Sequence, residues 1–95
     1  MFWRRRQVRV VIRGMVGRTL VRWQGTLSVP DGATLAEVLR RAGRACGADL
    51  AHDARHRNPV LMLNGDRLDL PEALDQPVPA GAELVWLMPL TGGLL

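Results

Sequence analysis

Lysine is absent. All 13 basic residues are arginine, a side chain that stays charged at any relevant pH and pairs bidentately with carboxylates and phosphates. A GC-rich genome, whose codons favour Arg, Ala, Gly, Leu and Pro, explains the absence without function. A functional reading stands beside it: such a chain offers no side-chain amine to an enzyme that makes isopeptide bonds. Cysteine occurs once, at Cys46, which excludes an internal disulfide. No run of about 18 apolar residues occurs, so no membrane-spanning helix is expected. The start MFWRRRQVRV is positively charged but has no apolar run behind it, so a secretory signal is not expected and a cytoplasmic location is the default. The single serine, Ser28, lies in an expected strand and forms no Ser/His arrangement, and no phosphate-binding glycine loop occurs. The chain is therefore not expected to be an enzyme on its own.

What remains is material for one small domain. At 95 residues, a chain buries roughly 60–65% of its unfolded surface, and 47% apolar residues is normal for a packed globule. No internal repeat, low-complexity block or domain boundary interrupts it.

Val8, Val10 and Ile12 alternate along Val8–Arg13 and predict a strand. Gly14 to Gly17 reads as a flexible turn, and Thr19 to Val29 as a second strand with a bulge or break at Gly25. After Pro30-Asp31-Gly32, Thr34 and Glu37 have capping-box spacing. Leu35, Val38, Leu39, Ala42 and Cys46 then share one helical face, with Arg40, Arg41 and Arg44 mostly off it and Gly47 as the stop. Residues 48–58 are polar without a clean period and read as a loop or a short irregular turn. Val60–Leu63 predicts a short strand, Asn64-Gly65-Asp66 a tight turn, and Arg67–Leu70 a short return strand. The proline-rich stretch 71–80 holds one helical turn near Glu72–Leu74, and Glu83–Met88 is apolar enough for a buried mid-sheet strand closed by Pro89. One helix over a sheet gives an α+β two-layer domain.

Several clusters invite chemistry. His52 and His56 are four apart beside Asp49 and Asp53, but no third ligand accompanies them, so no metal is expected. Cys46 falls on the apolar helix face and reads as packing. Arg4-Arg5-Arg6, preceded by Phe2 and Trp3 and followed by Arg9 and Arg13, could contact phosphates. A solvated strand edge that discourages aggregation is the commoner reason for such a run, so a nucleic-acid role is the weaker expectation.

The hairpin, PDGATLAEVLRRAG from Pro30 to Gly43, VLMLNGD from Val60 to Asp66, and PAGAELVWLMPLTGG from Pro79 to Gly93 occur in that order. Together, over roughly residues 8–93, they resemble the MoaD/ThiS type of ubiquitin-like β-grasp proteins. The proline after the last strand is closer to the molybdopterin-synthase small subunit type than to the thiamine type. Ala82 stands where an acidic residue often follows the turn glycine, and the chain continues past Gly93 with Leu94-Leu95.

The resemblance implies a mixed sheet of four to five strands on one main helix, with 1–7 a basic extension, 8–89 the β-grasp domain and 90–95 a projecting tail. It also implies that the chemistry sits at Gly92 and Gly93. A carboxylate is a poor electrophile until an activating enzyme joins it to AMP, and glycine lacks the Cβ that would block a narrow channel. From Met88 to Gly93 an extended chain reaches about 15–18 Å, enough to carry the carboxylate clear of the domain. Leu94 and Leu95 must first be removed, by a JAMM-type zinc peptidase in some relatives. Gly93 would then carry sulfur as a thiocarboxylate to an acceptor enzyme, or be conjugated to target amines as a protein modifier. No bound cofactor is implied; ATP belongs to the activating enzyme. Partners of such proteins dock on the open sheet face, so Arg9, Arg13, Arg22, Trp23, Pro89 and Leu90 form the expected partner surface, and Trp86 the core.

Overall fold

The computed structural model describes residues 5–88. Five strands, β1 (Arg5–Val16), β2 (Thr19–Pro30), β3 (Val60–Leu63), β4 (Asp66–Arg67) and β5 (Glu83–Met88), accompany two helices, α1 (Leu35–Cys46) and α2 (Leu50–His56), and a 3₁₀ turn at Glu72–Asp75. The strands form one mixed sheet in the order β2-β1-β5-β3-β4. β1 runs antiparallel to β2 and parallel to β5, and β3 is antiparallel to both β5 and β4. The last strand lies mid-sheet, as its unbroken apolar run predicts.

Alternation along the strands decides what the sheet buries. Val8, Val10, Ile12, Leu61, Leu84 and Trp86 point to one face, where Leu35, Val38, Leu39 and Ala42 of α1 meet them. All are at most 1% exposed, and each large aliphatic side chain so buried contributes about 1.5–3 kcal/mol. The Trp86 indole nitrogen is buried without a hydrogen-bond partner among the described residues. Its ring fills the centre of the core, and that apolar area outweighs one unmade bond. The arrangement is a ubiquitin-like β-grasp fold.

Helix α1 begins where its spacing predicts. The Thr34 hydroxyl accepts from the Glu37 amide at 3.3 Å, but only half of the capping box forms. The Glu37 carboxylate turns to the guanidinium groups of Arg40 and Arg41 one turn ahead instead of back to the cap, because a charged partner at i+3 or i+4 outcompetes a backbone amide. Gly47 ends the helix in the left-handed region, its amide bonding the Gly43 carbonyl at 2.8 Å.

Four expectations need correction. The hairpin turn is Gly17-Arg18, because β1 runs through Gly14 and Met15 to Val16, which pairs with Thr19. Gly25 is no bulge: every β1 residue from Arg5 to Val16 has one partner on β2, and Gly25 is small because the Trp23 ring lies over it, 2.8 Å from where a Cβ would be. The return strand β4 is only Asp66–Arg67, with one further bond from the Leu68 amide to Leu61. Residues 50–56, read as loop, form α2. Asp49 caps it through the His52 amide at 3.1 Å, and Leu50 and Ala54 anchor it to the core. With so few buried residues in so short a helix, no period is visible.

The buried side chain Asp53, 3% exposed, ties α2 to the sheet: it accepts from the Gly17 amide in the hairpin turn and faces Arg57 at 4.0 Å. Replacing Asp53 by Ala leaves that amide without its charged acceptor, and urea unfolding should show a loss of about 1.5–3 kcal/mol. At Gly43 the expected sign runs against helix propensity. Alanine normally stabilises a helix interior over glycine by roughly 0.8–1 kcal/mol. Here a Cβ would sit 2.5 Å from the Ala48 carbonyl oxygen, where the chain folds back over α1. Gly43→Ala should therefore lower stability by about 1–3 kcal/mol; an unchanged or raised unfolding midpoint would show that the α1–α2 turn yields freely.

Candidate functional site

The sheet face opposite α1 is built from the residues that alternate with the core. Register places Val60, Leu87, Arg13 and Arg22 in one row across β3, β5, β1 and β2. The next row is Met62, Val85, Val11 and Gln24, and beyond it lie Glu83, Arg9 and Thr26. Leu20 and Leu87 are 56% and 40% exposed, so the face keeps large apolar side chains in solvent. At the end of β5, residues Arg13, Gly14, Leu20, Arg22, Val60, Leu87 and Met88 line a shallow depression of about 580 Å³. A strand side chain at such a position has no core to enter, and two arginines flank the apolar floor.

The electrostatics of the depression are one-signed. Arg13 and Arg22 face each other across β1 and β2, an arrangement that destabilises unless a counter-charge arrives. The Arg13 guanidinium is held by Gln24 Oε1 at 3.0 Å and by the Ile12 carbonyl at 3.0 Å. Its fork is thus fixed before any partner binds. Among the described residues no acidic side chain lines this depression. Arg9, two rows away, faces Glu83 at 3.5 Å. A complementary ligand presents carboxylate or phosphate beside apolar surface.

Gly14 sets how closely β5 approaches β1 at their last pair. Its φ is +125°, and a Cβ there would fall 2.0 Å from the Met88 carbonyl oxygen. Any larger residue would push β5 away from β1 at its last pair. The residue expected to be a flexible turn is a close-packed contact beneath the exit of β5.

Of the expected partner surface, Arg9, Arg13 and Arg22 do share the open face. Trp23 does not: it pairs with Ile12 and alternates with Arg22, so it lies on the helix side, half-buried against the core. Pro89, Leu90, Gly92, Gly93, Leu94 and Leu95 lie outside the described residues. Leu20, Leu87 and Val60 went unremarked as site residues, because an apolar strand residue signals core until register assigns its face; Met88 alternates with Leu87, packs against the core and touches the depression only at its edge. Of the arginine run at the N-terminus, Arg5 contacts Ser28 at 2.8–3.1 Å and Arg6 pairs with Asp31 at 3.2 Å. His52 and His56 lie on α2 with ring centroids 4.5 Å apart, and among the described residues no group of three potential metal ligands forms. Cys46 is half-buried, its thiol directed to the Gly43 carbonyl at 3.8 Å. Among the described residues no helix is long and apolar enough to cross a membrane.

No protein-family model matches the chain, and no curated protein does. Among solved structures, it is similar to the solution structure of the HVO 2177 protein of Haloferax volcanii, with a TM-score of 0.64 and 15% identity over 94% of this chain and 88% of that one. At that identity the likeness is one of fold: a small ubiquitin-like domain.

Proposed function

We propose that this chain is a carrier of the MoaD/ThiS type, whose Gly93, once exposed by cleavage after it, is adenylated by an activating enzyme and holds sulfur as a thiocarboxylate. The observation that carries the reading is a juxtaposition. β5, the central strand, ends at Met88 on the rim of the apolar depression, and Gly92-Gly93 follow four and five residues later. A partner seated on Leu20, Leu87 and the Arg13–Arg22 pair would hold the root of the tail while its active site receives the end.

The chemistry asks little of the domain itself. The Gly93 carboxylate oxygen attacks the α-phosphorus of ATP and pyrophosphate leaves; hydrosulfide then adds to the acyl carbon and AMP departs, leaving the thiocarboxylate and a proton. The domain supplies binding and orientation, and glycine supplies the narrow passage. A second use of the same handle, conjugation to target amines as a protein modifier, is favoured by the lysine-free composition: the modifier has no side-chain amine that its own activated copies could acylate. Binding of nucleic acid by the basic face is the third reading, and Arg5, Arg6 and Arg9 already have partners within the chain.

Intact-mass spectrometry of the protein from its native cells tests the first two. A species ending at Gly93 and heavier by the difference between sulfur and oxygen supports sulfur carriage, whereas conjugates that survive reducing denaturation support modification. A protein always retaining Leu94-Leu95 would sink both. With chain ending at Gly93 and the cognate activating enzyme, Leu87→Asp and Arg22→Glu should each lower kcat/KM for adenylation about 10-fold or more, since anchors of this kind contribute over about 1 kcal/mol. Their circular dichroism should match the parent.

A further inference from the structure

The two edges of the sheet are unequal. β4 is two residues long, whereas β2 presents twelve. Long edges are normally blunted by bulges, prolines or several charges. β2 has no bulge, a proline only at its last position, and Arg22 as its single charge.

Backbone direction along β2 follows from its neighbour. On β1, the Gln7 carbonyl accepts from Gly81 and the Arg9 amide donates to Ala82, both at 2.9 Å, so these residues point away from β2. Residues alternate along a strand, so Val8, Val10 and Ile12 bond to Leu27, Gly25 and Trp23. The backbone groups of Leu20, Arg22, Gln24, Thr26 and Ser28 are left on the outer edge. The Ser28 carbonyl on this edge accepts from Arg5 at 2.8 Å and keeps a second lone pair for a further donor. Among the described residues no strand pairs with this edge.

We propose that β2 pairs antiparallel with β2 of a second copy of this chain, about a two-fold axis at Gln24, so that the two sheets become continuous. The inference does not depend on the carrier reading. The axis at Gln24 pairs every outward amide and carbonyl from Leu20 to Ser28. At Gln24 the outward groups of Leu20 bond Ser28 of the second copy, and those of Arg22 bond Thr26 of the second copy. An axis at Arg22 would oppose two guanidinium groups. An axis at Thr26 would set Arg22 against Pro30, which has no amide to donate.

The inner face fits the same register. Val21 falls opposite Leu27 of the second copy, and Trp23 opposite Gly25, in non-hydrogen-bonded pairs where side chains approach most closely. Trp23 already lies over Gly25 of its own strand. The glycine therefore leaves room for both indoles to lie side by side over backbone, and each half-buried ring loses its remaining exposure. The Leu20–Leu87 depression faces the opposite side of the sheet and stays open in the pair.

Sedimentation equilibrium or light scattering on the full chain tests the pairing. The mass should rise with concentration from 10.5 kDa to twice that value, and Trp emission should shift to the blue as it does. Gln24→Pro removes an outward amide, a substitution that edge strands tolerate, and should hold the protein at the single mass. Gln24→Lys, which sets two positive charges at the axis and keeps every backbone amide, should do the same with an unchanged circular dichroism spectrum. A wild-type protein at the single mass up to its solubility limit overturns the proposal. So does a dimer that survives both substitutions, or one that dissociates on Leu87→Asp instead, which would place the contact on the open face.

Discussion

The parallel pairing of β1 with β5 is the constraint on which the rest of the structure depends. It joins the first described strand to the last, from Arg9 beside Glu83 to Gly14 beside Met88. Contacts so distant in sequence carry a large loop-closure entropy before they return anything. Burial of Ile12 against Trp86, both 0% exposed, offsets it, and α1 closes the same apolar layer from above. Without this pairing, β3 and β4 would have no sheet to join and the hairpin no core to cover.

The same pairing gives the two faces of the sheet opposite characters. Because side chains alternate, the register that sends Val10, Ile12, Leu84 and Trp86 inward must send Arg9, Val11, Arg13, Val85 and Leu87 outward. The inward set is covered. The outward set keeps apolar side chains in water between arginines, at the point where the chain leaves β5. Gly14 lets β5 approach β1 closely at their last pair, Gly14 beside Met88.

Much of this architecture was legible in the chain. Helix α1 was readable because a capping threonine, an apolar stripe and a terminal glycine all agree. The β3–β4 turn was readable because Asn64 and Gly65 both adopt positive φ, at 51° and 85°, the conformation that Asn-Gly favours. Gly25 misled, since a glycine inside a strand signals a bulge unless a neighbouring ring is known to lie on it. Helix α2 was hidden because it is only seven residues long and rests on Leu50, Ala54 and a buried aspartate whose partner, the Gly17 amide, is remote in sequence. The arginines of the candidate site could be named as polar members of strands. Leu20 and Leu87 could not, because an apolar residue in a strand is assigned to the core by default.

The sequence by itself determined the main helix, the longer strands, their order, and the Gly92-Gly93 pair beyond the last strand, since these rest on local periodicity, capping and turn chemistry. Only the tertiary structure decided which face each strand residue occupies, that Trp23 lies inward while Leu87 lies outward, and that one long edge is left open. The reason is geometric: a shift of one residue in register exchanges the two faces of a strand, and register is settled by packing among strands far apart in the chain.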